Sequence, residues 1–156
     1  MKLNIVRYAL VLVIAMTFTN GALASDNKAE AEIQALLLEY QNALKSSNTP
    51  AIVALYATDG VQMPPGAPSA VGKTAIETSY NATFDAIGLD LVFHIDEIDL
   101  FNKKSALLRT HSTGTVTLHT DNDKQVPAGF KELFIVKKEK GVWRFSHYSF
   151  SEAPAS

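Results

Sequence analysis

Apolar residues recur at spacings of three and four from Ile33 through Leu36, Leu37 and Tyr40 to Leu44, the period of a helix that buries one face. Asn27 followed by Glu30 gives this helix an N-terminal cap pair. The pattern breaks at Ser46-Ser47-Asn48 and resumes after Thr49-Pro50, where a capping residue precedes a proline whose missing N–H costs nothing. A short helix over Ala51 to Tyr56 is predicted, ended by Thr58-Asp59-Gly60. Val61-Gln62-Met63 reads as a brief strand. Pro64-Pro65-Gly66-Ala67-Pro68 must be a loop, because prolines fit neither a helix interior nor a central strand. Thr74 and Glu77 have the form of a capping box, and Ile76, Tyr80, Phe84 and Ile87 continue a third helix to a stop at Gly88.

Beyond Gly88 the apolar period changes to two, and β-branched and aromatic residues become frequent. Strands are predicted over Leu89 to Phe101, Ser105 to Leu118, Gly129 to Lys138 and Val142 to Phe150. The breaks at Asn102-Lys103-Lys104, His119 to Gln125 and Glu139-Lys140-Gly141 are short, so consecutive strands pair as an antiparallel meander. Helices followed by long antiparallel strands define a segregated α+β domain in which helices cover one face of a curved sheet.

The N-terminal segment sets the compartment. Lys2 and Arg7 precede an apolar run from Tyr8 to Phe18, and Ala22-Leu23-Ala24 supplies an A-x-A cleavage pattern, so residues 1–24 read as a signal peptide and 25–156 as one mature domain. The run falls well short of the about 20 residues a spanning helix needs, and no stable membrane anchor is expected after cleavage. Export to a periplasm or the medium follows. The full chain carries 14 basic and 16 acidic residues, and cleavage removes two of the basic ones. With no clustered Lys and Arg to neutralise phosphates, nucleic acid is not an expected partner. The chain has no Cys, which excludes thiol catalysis, disulfides and Cys-ligated metals.

The order of elements, the stretch Leu55-Tyr56-Ala57-Thr58-Asp59-Gly60-Val61-Gln62-Met63-Pro64-Pro65-Gly66 and the later Gly72-Lys73 resemble the nuclear transport factor 2-like superfamily. More narrowly, the chain resembles its SnoaL-like and ketosteroid-isomerase-like branch. The ending Glu132-Leu133-Phe134-Ile135-Val136-Lys137-Lys138 followed by Gly141-Val142-Trp143-Arg144-Phe145 is similar to the last hairpin of that family. The resemblance covers residues 29 to 150. It implies a cone, in which a strongly bent antiparallel sheet wraps three N-terminal helices around an apolar pocket, and a homodimer formed through the outer face of the sheet.

The same family hosts isomerases, cyclases, dehydratases, epoxide hydrolases and proteins without chemistry, so the fold alone does not carry function. In ketosteroid isomerases, a helix-1 Tyr and a protonated Asp hold a developing oxyanion while another Asp moves the proton; that enzyme is a standard case of tuned carboxyl groups. Tyr40 matches the Tyr by its place in the first helix. Met63 and Pro64 stand where the proton-moving Asp is expected, and neither takes a proton. The second Asp falls near Lys131 or Glu132.

Tyr40, Tyr56, Met63, Tyr80, Phe84 and His147 are the candidate ligand-binding residues, set against the plainer reading of the aromatic members as ordinary core. The candidate proton carriers are His147 and Glu132, with Tyr40 as donor. Strict alternation places Trp143, Phe145, His147 and Ser149 on one face of the final strand, and would turn His147 toward the pocket. The histidines His94, His111, His119 and His147 lack metal-ligand spacing, and neither a metal nor another cofactor is expected. Gly72-Lys73-Thr74 does not complete a phosphate loop, and Asp96-Glu97-Ile98-Asp99 divides between two strand faces rather than forming a calcium loop. The expected partner is a small apolar or amphipathic molecule. The alternatives are an isomerase, cyclase or hydratase, or an assembly module with a filled interior.

Overall fold

A computed structural model of the chain describes residues 19–155. The basic residues and apolar run of the expected signal peptide lie outside the described residues. Three helices come first: α1 (Thr19–Lys45), α2 (Thr49–Leu55) and α3 (Lys73–Ala86). α1 begins ahead of Asn27, so that residue lies within the helix instead of capping it. At α2 the cap is Asn48, one residue earlier than expected, and its side chain accepts from the Ala51 N–H at 3.1 Å. α3 opens from Gly72 at φ 79 without a side-chain cap, so the Thr74–Glu77 box does not form. Thr74 sits inside the first turn, and its carbonyl accepts from the Thr78 hydroxyl.

Six strands follow or interleave: β1 (Tyr56–Met63), β2 (Ala70–Val71), β3 (Ile87–Asn102), β4 (Ser105–Leu118), β5 (Lys124–Glu139) and β6 (Val142–Ala153). They form one sheet in the order β2-β1-β6-β5-β4-β3. The predicted meander is β3 to β6, antiparallel throughout. β1 instead lies parallel to β6, making the sheet mixed rather than wholly antiparallel. These two strands are far apart in sequence, so no hairpin dictates their direction. β5 starts earlier than predicted because the chain from Lys124 pairs with Leu118 and its neighbours ahead of Gly129, with Val126, Ala128 and Phe130 alternating along it. β1 is likewise longer than Val61 to Met63, and α2 ends before Tyr56.

The helices pack on one face of this sheet. Ile33, Leu36, Leu37, Tyr40 and Leu44 of α1, the residues of the helical period, are all buried, and they join Leu108, Phe134, Val136 and Phe145 of the sheet in one cluster. Register shifts interrupt the sheet: the pairing of β3 with β4 shifts between Ile95 and Glu97 and between Leu100 and Asn102, that of β5 with β6 between Ile135 and Val136, and that of β1 with β6 between Tyr56 and Val61. Gly114 sits where β4 passes so close to β3 that a side chain would collide with the Asp90 carbonyl oxygen. One end of the interior is open.

Candidate functional site

The open end is a cavity of about 540 Å³ between α1, α3 and the inner face of the sheet, a size that accommodates a small organic molecule. Tyr40 and Leu44 reach it from α1 and Tyr80 from α3, while Leu91, Val116 and Phe150 come from the strands. The closed end is filled by aromatic rings. Tyr40 meets Phe93, Phe134, Phe145 and Tyr148 edge-on at centroid distances of 5.3–5.9 Å. Phe134 and Tyr148 stack at 4.2 Å, and Tyr148 stacks on Phe150 at 5.2 Å, so a column of rings leads from the core to the cavity wall.

Polar groups are few and placed. The Tyr40 and Tyr80 hydroxyls are 2.7 Å apart, and Tyr80 is 3.1 Å from the Tyr56 hydroxyl, a chain of three buried phenols. Burial pushes Tyr40, Tyr56 and Tyr148 well above the usual phenol range, and Tyr80 up to about 12, where its two phenol partners restrain the rise. All four therefore stay protonated and able to donate. Glu132 lines the same cavity with only 3 % of its surface exposed. Its Oε2 accepts from Thr110 at 2.7 Å and its Oε1 from Ser112 at 2.5 Å, both on the neighbouring strand. Burial raises its pKa above the ordinary value of 4.5, and the two hydroxyls oppose that rise without cancelling it.

The predicted site residues divide. Tyr40, Tyr80 and Glu132 are brought together on the cavity. Tyr56 is fully buried behind Tyr80 and touches the site only through its hydroxyl. Phe84 packs on Tyr80 at 6.0 Å, but Thr83 and Ile87 take the lining positions of that helix end. Met63 pairs with Ser149 and Gln62 with Tyr148. Directly opposed side chains share a face, so Gln62 turns inward with Tyr148 and Met63 turns away.

His147 also faces away, contrary to the alternation expected for β6. Ile135 pairs with His147 and Val136 with Phe145, leaving Ser146 as an extra residue in a bulge. Phe145 and Ser146 are both buried, the parity then flips, and Tyr148 points inward while His147 is exposed. Tyr148, Phe150 and Gln62 are the site residues that alternation conceals. The shift of aromatic parity from Trp143 and Phe145 to Tyr148 and Phe150 is the signal that discloses the first two.

On the opposite face of the sheet, a groove of about 520 Å³ runs past Arg109, His111, Lys131 and Ser149. Asp96 bonds His111 Nδ1 at 2.8 Å and Arg109 at 3.2 Å, and His94 stacks on His111 at 5.0 Å. Among the described residues no group of three or more His, Asp or Glu side chains is placed to hold a metal ion. No helix among them is long and apolar enough to cross a membrane.

Comparison with known proteins agrees with this architecture. The family described as SnoaL-like domain matches residues 26–149. A ketosteroid isomerase-like protein from Erwinia carotovora atroseptica SCRI1043 is 33 % identical, with a TM-score of 0.75 over 80 % of this chain and 96 % of its own. A protein from Novosphingobium aromaticivorans DSM 12444, provisionally named a scytalone dehydratase, has a TM-score of 0.73 at 16 % identity, covering 85 % of this chain and 89 % of its own. An uncharacterized protein with a cystatin-like fold from Caulobacter vibrioides is 20 % identical, with a TM-score of 0.66 over 81 % of this chain and 91 % of its own. The latter two share the fold. No curated protein matches the chain.

Proposed function

The chain belongs to the SnoaL-like family, and from that premise we propose that it binds a small, mainly apolar molecule in the cavity, with the polar end of that molecule at Glu132. The observation that carries this reading is a buried carboxyl, held by Thr110 and Ser112, on the wall of an otherwise apolar cavity of about 540 Å³. Apolar surface supplies the affinity, and one or two placed polar groups fix the orientation. Native mass spectrometry of the folded protein tests it. The wild type is expected to retain a small molecule or take one up, and Ala128→Phe, which fills the rim of the cavity, to lose it. Equal retention by both proteins contradicts the reading.

A second reading, proton transfer of the isomerase, cyclase or hydratase kind, is favoured by the pKa of Glu132, raised by burial on the cavity wall. A carboxyl tuned upward beside protonated phenols has the parts of an acid-base pair: Glu132 to take a proton, Tyr40 and Tyr80 to stabilise the charge left behind. A substrate bound equally by wild type and Glu132→Gln, but turned over only by the wild type, is the outcome this reading requires.

Two further proposals come from the sequence. The protein acts outside the cytoplasm, supported by Lys2, Arg7, the apolar run and Ala22-Leu23-Ala24; intact mass of the exported product should begin at Ser25, and an uncleaved cytoplasmic product refutes it. The protein pairs as a homodimer through the outer sheet face, where Val92 and Leu133 are exposed among charged residues. Sedimentation equilibrium should give twice the chain mass, and Leu133→Lys should halve it.

A further inference from the structure

Gln62 is a buried polar residue of the cavity wall. It is 4 % exposed, lies on β1 opposite Tyr148, and lines the cavity. Its Oε1 is fully buried and has no hydrogen-bond partner among the described residues. Burying a carboxamide oxygen unpaired is unfavourable, and a residue of similar length without polar atoms would fill the same space at no such cost. β6 separates β1 from β5, and Gln62 is level with Tyr148 whereas Glu132 is level with Phe150, so the two stand two strand spacings and two residues apart, about 12 Å over the inner face. Each Glu132 oxygen already accepts one hydroxyl and keeps room for one more partner, whereas the Gln62 oxygen accepts from no described residue.

We infer that Gln62 selects the ligand: its Oε1 accepts from a hydroxyl or N–H, so the molecule bound is an apolar skeleton with one polar group at Glu132 and a hydrogen-bond donor at its far end. This inference rests on the reading of the cavity as a binding site, and it adds the chemical class of what enters. A hydrocarbon or an ether of the same size satisfies the apolar walls but leaves the carboxamide oxygen unpaired in the complex. A site built to pair a donor discriminates against an analogue lacking it more strongly than apolar contacts discriminate by size.

The test compares two probes by calorimetric titration, 2,6-dihydroxynaphthalene and 6-methoxy-2-naphthol, against wild type and Gln62→Met. The wild type should bind the diol about tenfold more tightly than the ether, the worth of one buried hydrogen bond. Gln62→Met should bind the two within about threefold of each other. Its thermal unfolding midpoint without ligand should equal or exceed that of the wild type, because the substitution removes an unpaired buried oxygen. A wild type that does not distinguish the probes, a Gln62→Met protein that still does, or a lowered midpoint in Gln62→Met overturns the inference while leaving the cavity as a binding site. If neither probe binds the wild type, the cavity reading itself fails and the inference falls with it.

Discussion

The hydroxyl of Ser112 lies 2.5 Å from Oε1 of Glu132, on the strand beside it, and both groups are buried. Thr110 grips the other carboxyl oxygen from the same strand. This arrangement fixes the orientation of the one acidic side chain buried among the described residues while leaving it on the cavity wall.

Because burial raises the pKa of Glu132, the native state holds its proton at pH values where the unfolded chain has released it. Its contribution to stability is therefore full below the unfolded value of about 4.5 and is lost as pH rises through the folded value. Relative to Glu132→Gln, which keeps the shape and removes the charge, the wild type should lose stability as pH rises above about 4.5. Urea unfolding at a series of pH values measures this difference. A gap between the two proteins that stays constant or reverses sign would show that Glu132 is not held above the ordinary carboxyl range.

Tyr80 is the centre of the phenol chain, with Tyr40 on one side and Tyr56 on the other. Tyr80→Phe leaves two buried hydroxyls without this partner, whereas Tyr56→Phe leaves the 2.7 Å Tyr40–Tyr80 bond intact. The first should cost about 2 kcal/mol or more and the second about 1 kcal/mol, read from denaturant midpoints. Equal losses would mean that the three hydroxyls do not act as one chain.

Tyr148 and His147 are adjacent in sequence and opposite in role. Tyr148 is buried against Phe134, and its replacement by Ala should cost about 3 kcal/mol or more. His147 is exposed, so His147→Ala should stay within about 0.5 kcal/mol of wild type and leave uptake of a cavity probe unchanged. Loss of binding in His147→Ala would place that side chain in the cavity and contradict the bulge at Ser146.

These contrasts show how far the sequence carries the structure. Helix α1 is legible because five apolar residues at helical spacing have no other use, and β3 and β4 because their alternation is long. Tyr40 and Glu132 could be singled out because the resemblance to ketosteroid isomerases implies a Tyr in the first helix and an acid near Lys131 or Glu132, and Tyr80 because it stands at helical spacing among aromatic residues. Three features were less legible. A bulge inserts one residue and reverses every later side chain, so extrapolating parity through Ser146 sent His147 inward in place of Tyr148. The inward turn of Gln62 depends on the register of β1 against β6, a parallel pairing between distant segments that local periodicity does not encode. The first five residues of β5, 124–128, pair with β4 and not with β6, and Pro127 interrupts the local strand signal there.

The central claim is that the inner cavity, and not the outer face of the sheet, receives a small apolar molecule. Methyl NMR during titration with 2-naphthol tests it most directly, since Leu91, Val116 and Leu118 line the cavity while Val92 and Leu133 lie exposed on the other face. Saturable shifts are expected at the three cavity residues with still signals at the other two; shifts confined to Val92 and Leu133, or no saturable shift, would rule out binding in the cavity.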